Sequence, residues 1–236
     1  MKTKRFAPFI ILMLLALSLR AQETIRNPYN LNIIADRDSY LSLIRKDSLQ
    51  TLVDLTKTVP GIIPDIRYAT DNNFTHKKVY TSARAFARVA VAKALADIQH
   101  ELSQKGLSLK VFDAYRPYAA TLLFWDIMHD TAYVASPLTG SRHNRGYAVD
   151  VSIVNLKTGK ELVMPTPFDD FTVRANASYP DISEDAAKNR ALLITIMSKH
   201  GFTVYPSEWW HYDYRGWRDY GLMDLSFEEL DSVKSR

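Results

Sequence analysis

Two histidines in this 236-residue chain stand near acidic residues in a pattern that could bind a metal ion. His143 lies in the segment SRHNRGYAVD, seven residues before Asp150, and His211 lies in EWWHYD. Two imidazoles and one carboxylate are a common ligand set for a catalytic zinc ion, and they leave a fourth position open for water. Each residue taken alone has a plainer interpretation: the His-to-Asp spacing is usually coincidental, and His211 would be an ordinary histidine among aromatic residues.

The spacing of these residues constrains where each of them lies. Seven is an odd separation, so His143 and Asp150 would face opposite sides of one regular strand. We therefore expect His143 in the loop before the strand, where Gly146 supplies the backbone freedom that returns it beside Asp150. Glu208, three residues before His211, is expected at the irregular start of a second strand, within reach of water at the metal. Alone, Glu208 would be a surface charge or a cap.

Arg116 is a further candidate for chemistry. It lies in the segment DAYRP, directly after a predicted buried strand. A guanidinium there could stabilise the oxyanion of a tetrahedral intermediate or bind a substrate carboxylate. A structural ion pair with Asp113 is an alternative of equal weight at this point.

The elements that must position these residues follow from hydrophobic spacing, turn residues and prolines. Apolar residues at helical spacing predict helices, and alternating or continuous short apolar runs predict strands. Hairpin connections between the strands indicate an α+β fold, with an antiparallel sheet and flanking helices. The predicted helices are residues 85–105, 118–129 and 186–200, with Ser183 as a helix cap; the predicted strands are 62–68, 107–114, 147–154, a partner ending near 164, 202–205 and 209–214.

The pattern of the first 21 residues is typical of an export signal. A basic start, with Lys2, Lys4 and Arg5, is followed by an apolar stretch over residues 6–19. Cleavage after Ala21 is expected, giving a periplasmic or secreted protein. An uncleaved anchor is the alternative, but the apolar stretch is shorter than the roughly 20 residues that span a bilayer, so no stable membrane insertion is expected after signal removal. The predicted organisation is signal 1–21, N-terminal extension 22–55 and catalytic domain 56–236.

The charge of the chain does not indicate nucleic-acid binding. The whole chain has 30 basic and 26 acidic residues, but residues 1–21 contain four of the basic ones and no acid. After signal removal the two signs balance, so the basic pI of about 9.1 belongs largely to the export signal. We therefore expect no nucleic-acid partner. Since the chain has no cysteine, the exported domain has no disulfides.

Several motifs in one order resemble a known family. SRHNRGYAVD, EWWH and DAYRP, together with RYATDNNF and TGKELVMPTPFDDF, are similar to the VanX-like D-alanyl-D-alanine dipeptidases of the zinc D,D-peptidase family. The resemblance extends over about residues 66–214. It implies the zinc D,D-peptidase fold, which is Hedgehog/DD-peptidase-like, and one zinc ion per chain.

The resemblance also implies roles for individual residues. It implies that His143, Asp150 and His211 bind the zinc ion. Glu208 would be the general base and would later pass its proton to the leaving amine, while Arg116 would stabilise the transition state.

Four further residues match substrate-binding positions of the family. Asp169 would receive the ammonium group of a small dipeptide substrate, and Tyr68 and Asp113 would shape or support the pocket. Ser141 matches a serine near the substrate carboxylate. The residue after it is Arg142, where some members have a second serine, so carboxylate binding departs from the family pattern.

The expected activity is zinc-dependent hydrolysis of D-Ala-D-Ala to two D-alanines in cell-wall peptide turnover. One alternative is a D,D- or L,D-carboxypeptidase that acts on peptidoglycan stem peptides through a more open cleft. Another is a non-catalytic zinc module that binds wall peptides, which would need neither Glu208 nor Arg116.

Overall fold

The computed structural model describes residues 27–233, so the predicted export signal at residues 1–21 lies outside the described residues. The helices are α1 (Arg37–Lys46), α2 (Leu55–Thr58), α3 (Val89–Ser103), α4 (Tyr118–Ile127), α5 (Glu184–Lys199) and α6 (Phe227–Ser232). The strands are β1 (Ile33–Ile34), β2 (Leu52–Asp54), β3 (Ile63–Pro64), β4 (Phe86–Arg88), β5 (Leu107–Asp113), β6 (Ala148–Asn155), β7 (Lys160–Glu161), β8 (Phe202–Tyr205), β9 (Glu208–Tyr214) and β10 (Leu222–Met223). No helix among these is long and apolar enough to cross a membrane.

A six-stranded sheet forms the centre of the fold. Its strands run in the order β3-β5-β6-β9-β8, and β7 pairs with β6. All pairings are antiparallel except β3 with β5, which are parallel. Residues 148–154 of β6 are all buried, as expected for a central strand covered on both faces. Helix α3 packs against β5 and α5 packs against β8, so the predicted α+β fold with flanking helices is confirmed.

The predicted helix over residues 85–105 begins later than the apolar spacing indicated. Phe86–Arg88 forms β4, which pairs antiparallel with β2, and α3 starts only at Val89. Hydrogen bonds to a strand from the N-terminal part of the chain override the local pattern here. The N-terminal part of the chain therefore contributes strands to the fold, since β1 also pairs with β10 near the C-terminus.

Two predicted strands are shorter than expected. In residues 62–68 only Ile63–Pro64 is a strand, and Arg67–Ala69 forms a 3-10 turn. Pro64 is tolerated because β3 is an edge strand, where a missing amide hydrogen breaks no ladder. The predicted partner of β6, which was to end near residue 164, is reduced to Lys160–Glu161.

Gly146 determines the path of the chain into β6. It follows a 3-10 turn at His143–Arg145 and has a φ of 71°, in the left-handed region that glycine adopts without steric cost. Its amide donates to the carbonyl oxygen of His143 at 3.0 Å. A Cβ at this position would lie 2.6 Å from Leu52 Cδ2, so both the φ and the space favour glycine. His143 therefore lies in a turn before the strand, as the spacing predicted.

We expect Gly146→Ala to destabilise the protein more than Gly159→Ala. Both glycines are left-handed, at 71° and 69°, so each substitution costs about 1–2 kcal/mol from the backbone. Only position 146 adds a clash, worth about another 1–3 kcal/mol. Urea denaturation of both variants measures the difference in unfolding free energy. Equal losses in the two variants would contradict the close packing of Gly146 against Leu52.

Candidate metal centre and active-site cleft

Three side chains from two strands and a turn converge at the centre of the sheet. Asp150 in β6 pairs in register with His211 in β9, and His143 reaches the same point from the turn before β6. His143 Nε2 lies 3.1 Å from His211 Nδ1. Asp150 Oδ1 lies 3.3 Å from His143 Nε2 and 3.1 Å from His211 Nδ1. All three residues are buried.

This triangle of donor atoms fits a metal ion. In a tetrahedral zinc site with bonds of about 2.0–2.1 Å, neighbouring ligand atoms lie about 3.3–3.4 Å apart, close to the distances found here. Asp150 Oδ1 is also buried and makes no hydrogen bond to any described residue. Because a buried carboxylate needs a partner, the unbonded oxygen between two imidazole nitrogens fits the binding of a cation. These three residues could hold one zinc ion.

Hydrogen bonds on the far side of each imidazole hold the ligand nitrogens in place. His143 Nδ1 donates to the carbonyl oxygen of Ala114 at 2.7 Å, which leaves Nε2 to face Asp150. His211 Nε2 donates to Asp213 Oδ1 at 3.1 Å, which leaves Nδ1 for the metal. Such second partners fix the tautomer and the ring orientation of metal-binding histidines.

Asp213 was missed by the sequence analysis. It stands two residues after His211 in β9, and residues two apart in a strand share a face, so its proximity could have been read from the sequence. Its other oxygen lies 3.3 Å from Arg142 Nε. Asp213 therefore joins a metal-binding candidate to a cationic residue at the edge of the cleft.

Glu208 lies beside the donor triangle. It is the first residue of β9, opposite Tyr205 at an irregularity in the pairing with β8, which is the irregular strand start that the sequence predicted. Its Oε2 is 3.6 Å from His211 Nδ1. Burial raises the pKa of Glu208 to about 8, against the opposing effect of His211. A carboxyl group with a pKa near neutrality can both accept and release a proton.

Arg116 fits both interpretations that the sequence left open. Its Nε donates to Asp113 Oδ2 at 2.9 Å, so the structural ion pair exists. Its Nη2 also lies 3.8 Å from Asp150 Oδ2, at the edge of the cleft. Asp113 itself lies behind Arg116 and accepts a hydrogen bond from the hydroxyl of Tyr80 at 2.9 Å. A guanidinium fixed in this way is preorganised to face developing negative charge.

Asp169 marks another part of the cleft. Tyr68 donates its hydroxyl hydrogen to Asp169 Oδ1 at 3.0 Å, and the amide of Phe74 donates to Oδ2 at 3.1 Å. Asp169 has a φ of 62°, a left-handed conformation that is uncommon for a residue other than glycine. Burial raises the pKa of Asp169 to about 7. Within residues 27–233 no basic side chain forms an ion pair with it, so its carboxylate suits a cation supplied by a ligand.

Ser141 lies at the cleft just before the metal-binding turn. Its hydroxyl oxygen accepts a hydrogen bond from the amide of His143 at 3.2 Å. Asn144, which sequence reasoning also missed, is fully buried beneath it. Its side-chain oxygen accepts from the amide of Ser141 at 2.6 Å, and its Nδ2 donates to the carbonyl oxygen of Arg116 at 2.9 Å. Asn144 therefore holds the metal-binding turn against the segment that carries Arg116, a tertiary role without a local sequence signal.

The predicted site residues meet at one cleft of about 550 Å³. Eight of the nine line it, and only Asp113 does not. The other four histidines, at positions 76, 100, 129 and 200, do not line the cleft. The residues that line it are Tyr68, Arg116, Ser141, His143, Asp150, Asp169, Glu208 and His211. Two imidazoles, a carboxylate and a nearby glutamate in such a cleft define the class of zinc peptidases in chemical terms.

Comparison with known proteins gives the family. Residues 48–222 match the Peptidase_M15 model, described as D-ala-D-ala dipeptidase. The D-alanyl-D-alanine dipeptidase of Escherichia coli (strain K12) is 35% identical over 176 residues, covering 75% of this chain and 91% of that protein. The corresponding protein of Enterococcus faecium is 33% identical over 181 residues, covering 67% and 88%. The chain belongs to this family and is a zinc metallopeptidase.

Among solved structures, VanYB in complex with D-alanine-D-alanine aligns with a TM-score of 0.40 at 17% sequence identity. The alignment covers 66% of this chain and 88% of that one.

We expect removal of the Asp213 side chain to weaken zinc binding. Asp213→Ala deprives His211 Nε2 of its acceptor, and the loss of such partners typically lowers metal affinity about 10- to 100-fold. Competition with a chromophoric chelator measures the zinc Kd directly. Asp219→Ala, on the exposed turn that follows β9, is the control and should leave the Kd unchanged. An unchanged Kd in Asp213→Ala would show that the hydrogen bond does not orient the ligand.

Proposed function

We propose that the chain hydrolyses D-Ala-D-Ala to two D-alanines, with zinc held by His143, Asp150 and His211. The observation that carries the proposal is the arrangement around this triangle: Glu208 lies beside it, and in the same cleft Asp169 offers a carboxylate that forms no ion pair with a basic side chain of residues 27–233. Glu208 serves hydrolysis, and Asp169 serves recognition of a free amino terminus. Relatives named D-alanyl-D-alanine dipeptidase support the choice of substrate.

Proton transfer is assigned to Glu208. When bound, a zinc ion supplies a Lewis acid that polarises a carbonyl group and lowers the pKa of water to about 7. Glu208 accepts the proton of the attacking water and later passes it to the leaving nitrogen. Its raised pKa suits both steps, because a group that must accept and then release a proton works best when its pKa lies near the operating pH. Its Oε2 lies 3.6 Å from His211 Nδ1, so this carboxylate stands beside the metal ligands.

Charge stabilisation is assigned to Arg116. Its guanidinium is held by Asp113 and lies over the rings of Tyr68 and Phe124, at 5.3 Å and 4.8 Å from their centroids. It cannot move away as the oxyanion develops, so its positive charge acts without reorganisation.

Selectivity for a free dipeptide is assigned to Asp169. A dipeptide brings an ammonium group that pairs with the carboxylate, whereas a longer chain brings an uncharged amide at the same place. The amide would leave the partly buried carboxylate without a counter-ion. Because an export signal is predicted at residues 1–21, the proposed location of this activity is the periplasm or the outside of the cell, where it would serve turnover of cell-wall peptides.

We expect Glu208→Gln to reduce kcat for D-Ala-D-Ala about 10²- to 10⁴-fold, because it removes the general base without changing the size of the side chain. Release of free D-alanine by the mature domain measures the rate, and a chelator should abolish it. Glu184→Gln, at an exposed position on α5, is the matched control. If Glu208→Gln binds zinc normally and retains wild-type kcat, another group is the base.

We expect Asp169→Asn to lower kcat/KM for D-Ala-D-Ala and to spare an N-acetylated D-Ala-D-Ala. Loss of one partner of a buried charge pair costs about 2–5 kcal/mol, or about 30- to 5,000-fold. The neighbouring Asp170→Asn is the control, since Asp170 caps a turn through the amide of Thr172 at 3.0 Å. Wild-type preference for the acetylated substrate would instead indicate a carboxypeptidase.

A further inference from the structure

Three arginines surround one tryptophan at the cleft. The guanidinium carbons of Arg142, Arg145 and Arg218 lie 4.9 Å, 5.6 Å and 4.3 Å from the ring centroid of Trp217. All four residues line the cleft that contains the donor triangle. We call these four residues the arginine shelf. A guanidinium that stacks on an aromatic face keeps its in-plane N–H groups available for a carboxylate, so stacked arginines are suited to anion binding.

The arginine shelf carries more positive charge than its neighbours balance. Asp213 is the one acidic residue of the described chain that pairs with it, through Arg142, and Asp213 also accepts from His211. Arg145 uses its guanidinium to donate to the carbonyl oxygen of Tyr220. Within residues 27–233, no carboxylate forms an ion pair with Arg145 or Arg218. Like charges gathered without counter-ions repel each other, and an anionic ligand would relieve that repulsion.

The arginine shelf and the Asp150–Glu208 pair lie towards different edges of the His211 ring. The Nδ1 edge of the ring faces Asp150 and Glu208, at 3.1 Å and 3.6 Å. The Nε2 edge faces Asp213, which in turn pairs with Arg142. The arginine shelf therefore adjoins the metal ligands at the edge of the His211 ring that faces away from Asp150 and Glu208.

We propose that the arginine shelf is a subsite for a carboxylate of the C-terminal residue of the substrate, the residue released as the new amine. The proposal rests on the proposed function and adds to it the part of the site that recognises the leaving residue. The carboxylate is either the main-chain one or one on an acidic side chain. The cleft volume of about 550 Å³ lies within the roughly 300–1,000 Å³ of sites for drug-sized ligands, so it accepts side chains larger than a methyl group.

Two substrate pairs distinguish the two sources of the carboxylate. D-Ala-D-Ala against D-Ala-D-alaninamide tests the main-chain carboxylate, and D-Ala-D-Glu against D-Ala-D-Gln tests a side-chain carboxylate. Calorimetric Kd values are measured on zinc-loaded protein in which Glu208→Gln prevents turnover, and kcat and KM are measured on the parent enzyme. Arg218→Gln is the principal variant because Arg218 makes no contact with a metal ligand. Arg215→Gln, on the exposed turn after β9 and outside the cleft, is the matched control.

Arg218→Gln should raise the Kd and the KM of the charged member of at least one pair about three- to tenfold, with kcat within twofold of the parent. The neutral member and the Arg215→Gln control should be unchanged. The effect should diminish at high salt, because the shelf is partly exposed. Arg142→Gln should act in the same direction, with zinc content measured beside it since Arg142 also holds Asp213.

If Arg218→Gln weakens binding of D-Ala-D-Ala but not of D-Ala-D-alaninamide, the arginine shelf binds the main-chain carboxylate. If it weakens binding of D-Ala-D-Glu but not of D-Ala-D-Gln, the shelf binds a side-chain carboxylate. Either result supports the proposed subsite. Equal effects on charged and neutral members, or none, would overturn it. The Kd measurements test the subsite independently of the proposed hydrolytic function. Charge-selective binding that depends on Arg218, without turnover of any of the four peptides, would reject D,D-dipeptide hydrolysis and leave the subsite standing.

Discussion

The buried carboxylate of Asp150 is the charge around which the rest of the site is arranged. An ionised carboxylate without a compensating partner is costly inside a protein, and here it stands in the central strand of the sheet. Burial alone would raise the pKa of Asp150, but His143 and His211 lower it below its usual value, so the group is held as an anion. A fold that keeps such a charge in its most covered strand requires positive charge beside it. A cation held by the donor triangle would supply that charge.

The charged groups around Asp150 alternate in sign. Arg116, which follows the end of β5, lies near Asp150. It also forms an ion pair with Asp113, the last residue of β5. Asp113 is itself buried and satisfied by Tyr80 and by the amide of Ala114. Each charged group therefore depends on the next, and removing one leaves its neighbour buried without a partner. Effects of substitutions within this chain of charges will not add, because the groups act as a unit.

The parts of the site that could be predicted are those governed by local periodicity. The odd spacing of His143 and Asp150 requires a turn with freedom at Gly146, and the structure has that turn. Glu208 is likewise an odd number of residues from His211, so it can share a face with His211 only at an irregular strand start, and the structure has that irregularity. Asp213 is two residues from His211 in the same strand, so the two side chains share a face, and this contact could have been predicted. These relations depend on one strand and its immediate neighbours.

The parts that could not be predicted depend on contacts between distant segments. Phe86–Arg88 has apolar spacing that suits a helix, yet it pairs with Leu52–Asp54, which lies more than 30 residues away. Asn144 links the metal-binding turn to the carbonyl oxygen of Arg116 across 28 residues. Neither relation leaves a local pattern, because the partner that decides the conformation is brought close only by the folded sheet.

The arrangement of charge in the cleft follows from this architecture. His211 is an imidazole with two chemically different edges, and the sheet places acidic residues at one edge and the Asp213–Arg142 pair at the other. A single ring therefore separates the proton-transfer group Glu208 from the proposed carboxylate subsite. A peptide whose C-terminal carboxylate lies on the arginine shelf would have its last amide near the metal ligands and Glu208, because the shelf adjoins His211. On this reasoning the position of His211 in the sheet determines where the scissile amide of a bound dipeptide would lie between Glu208 and the arginine shelf.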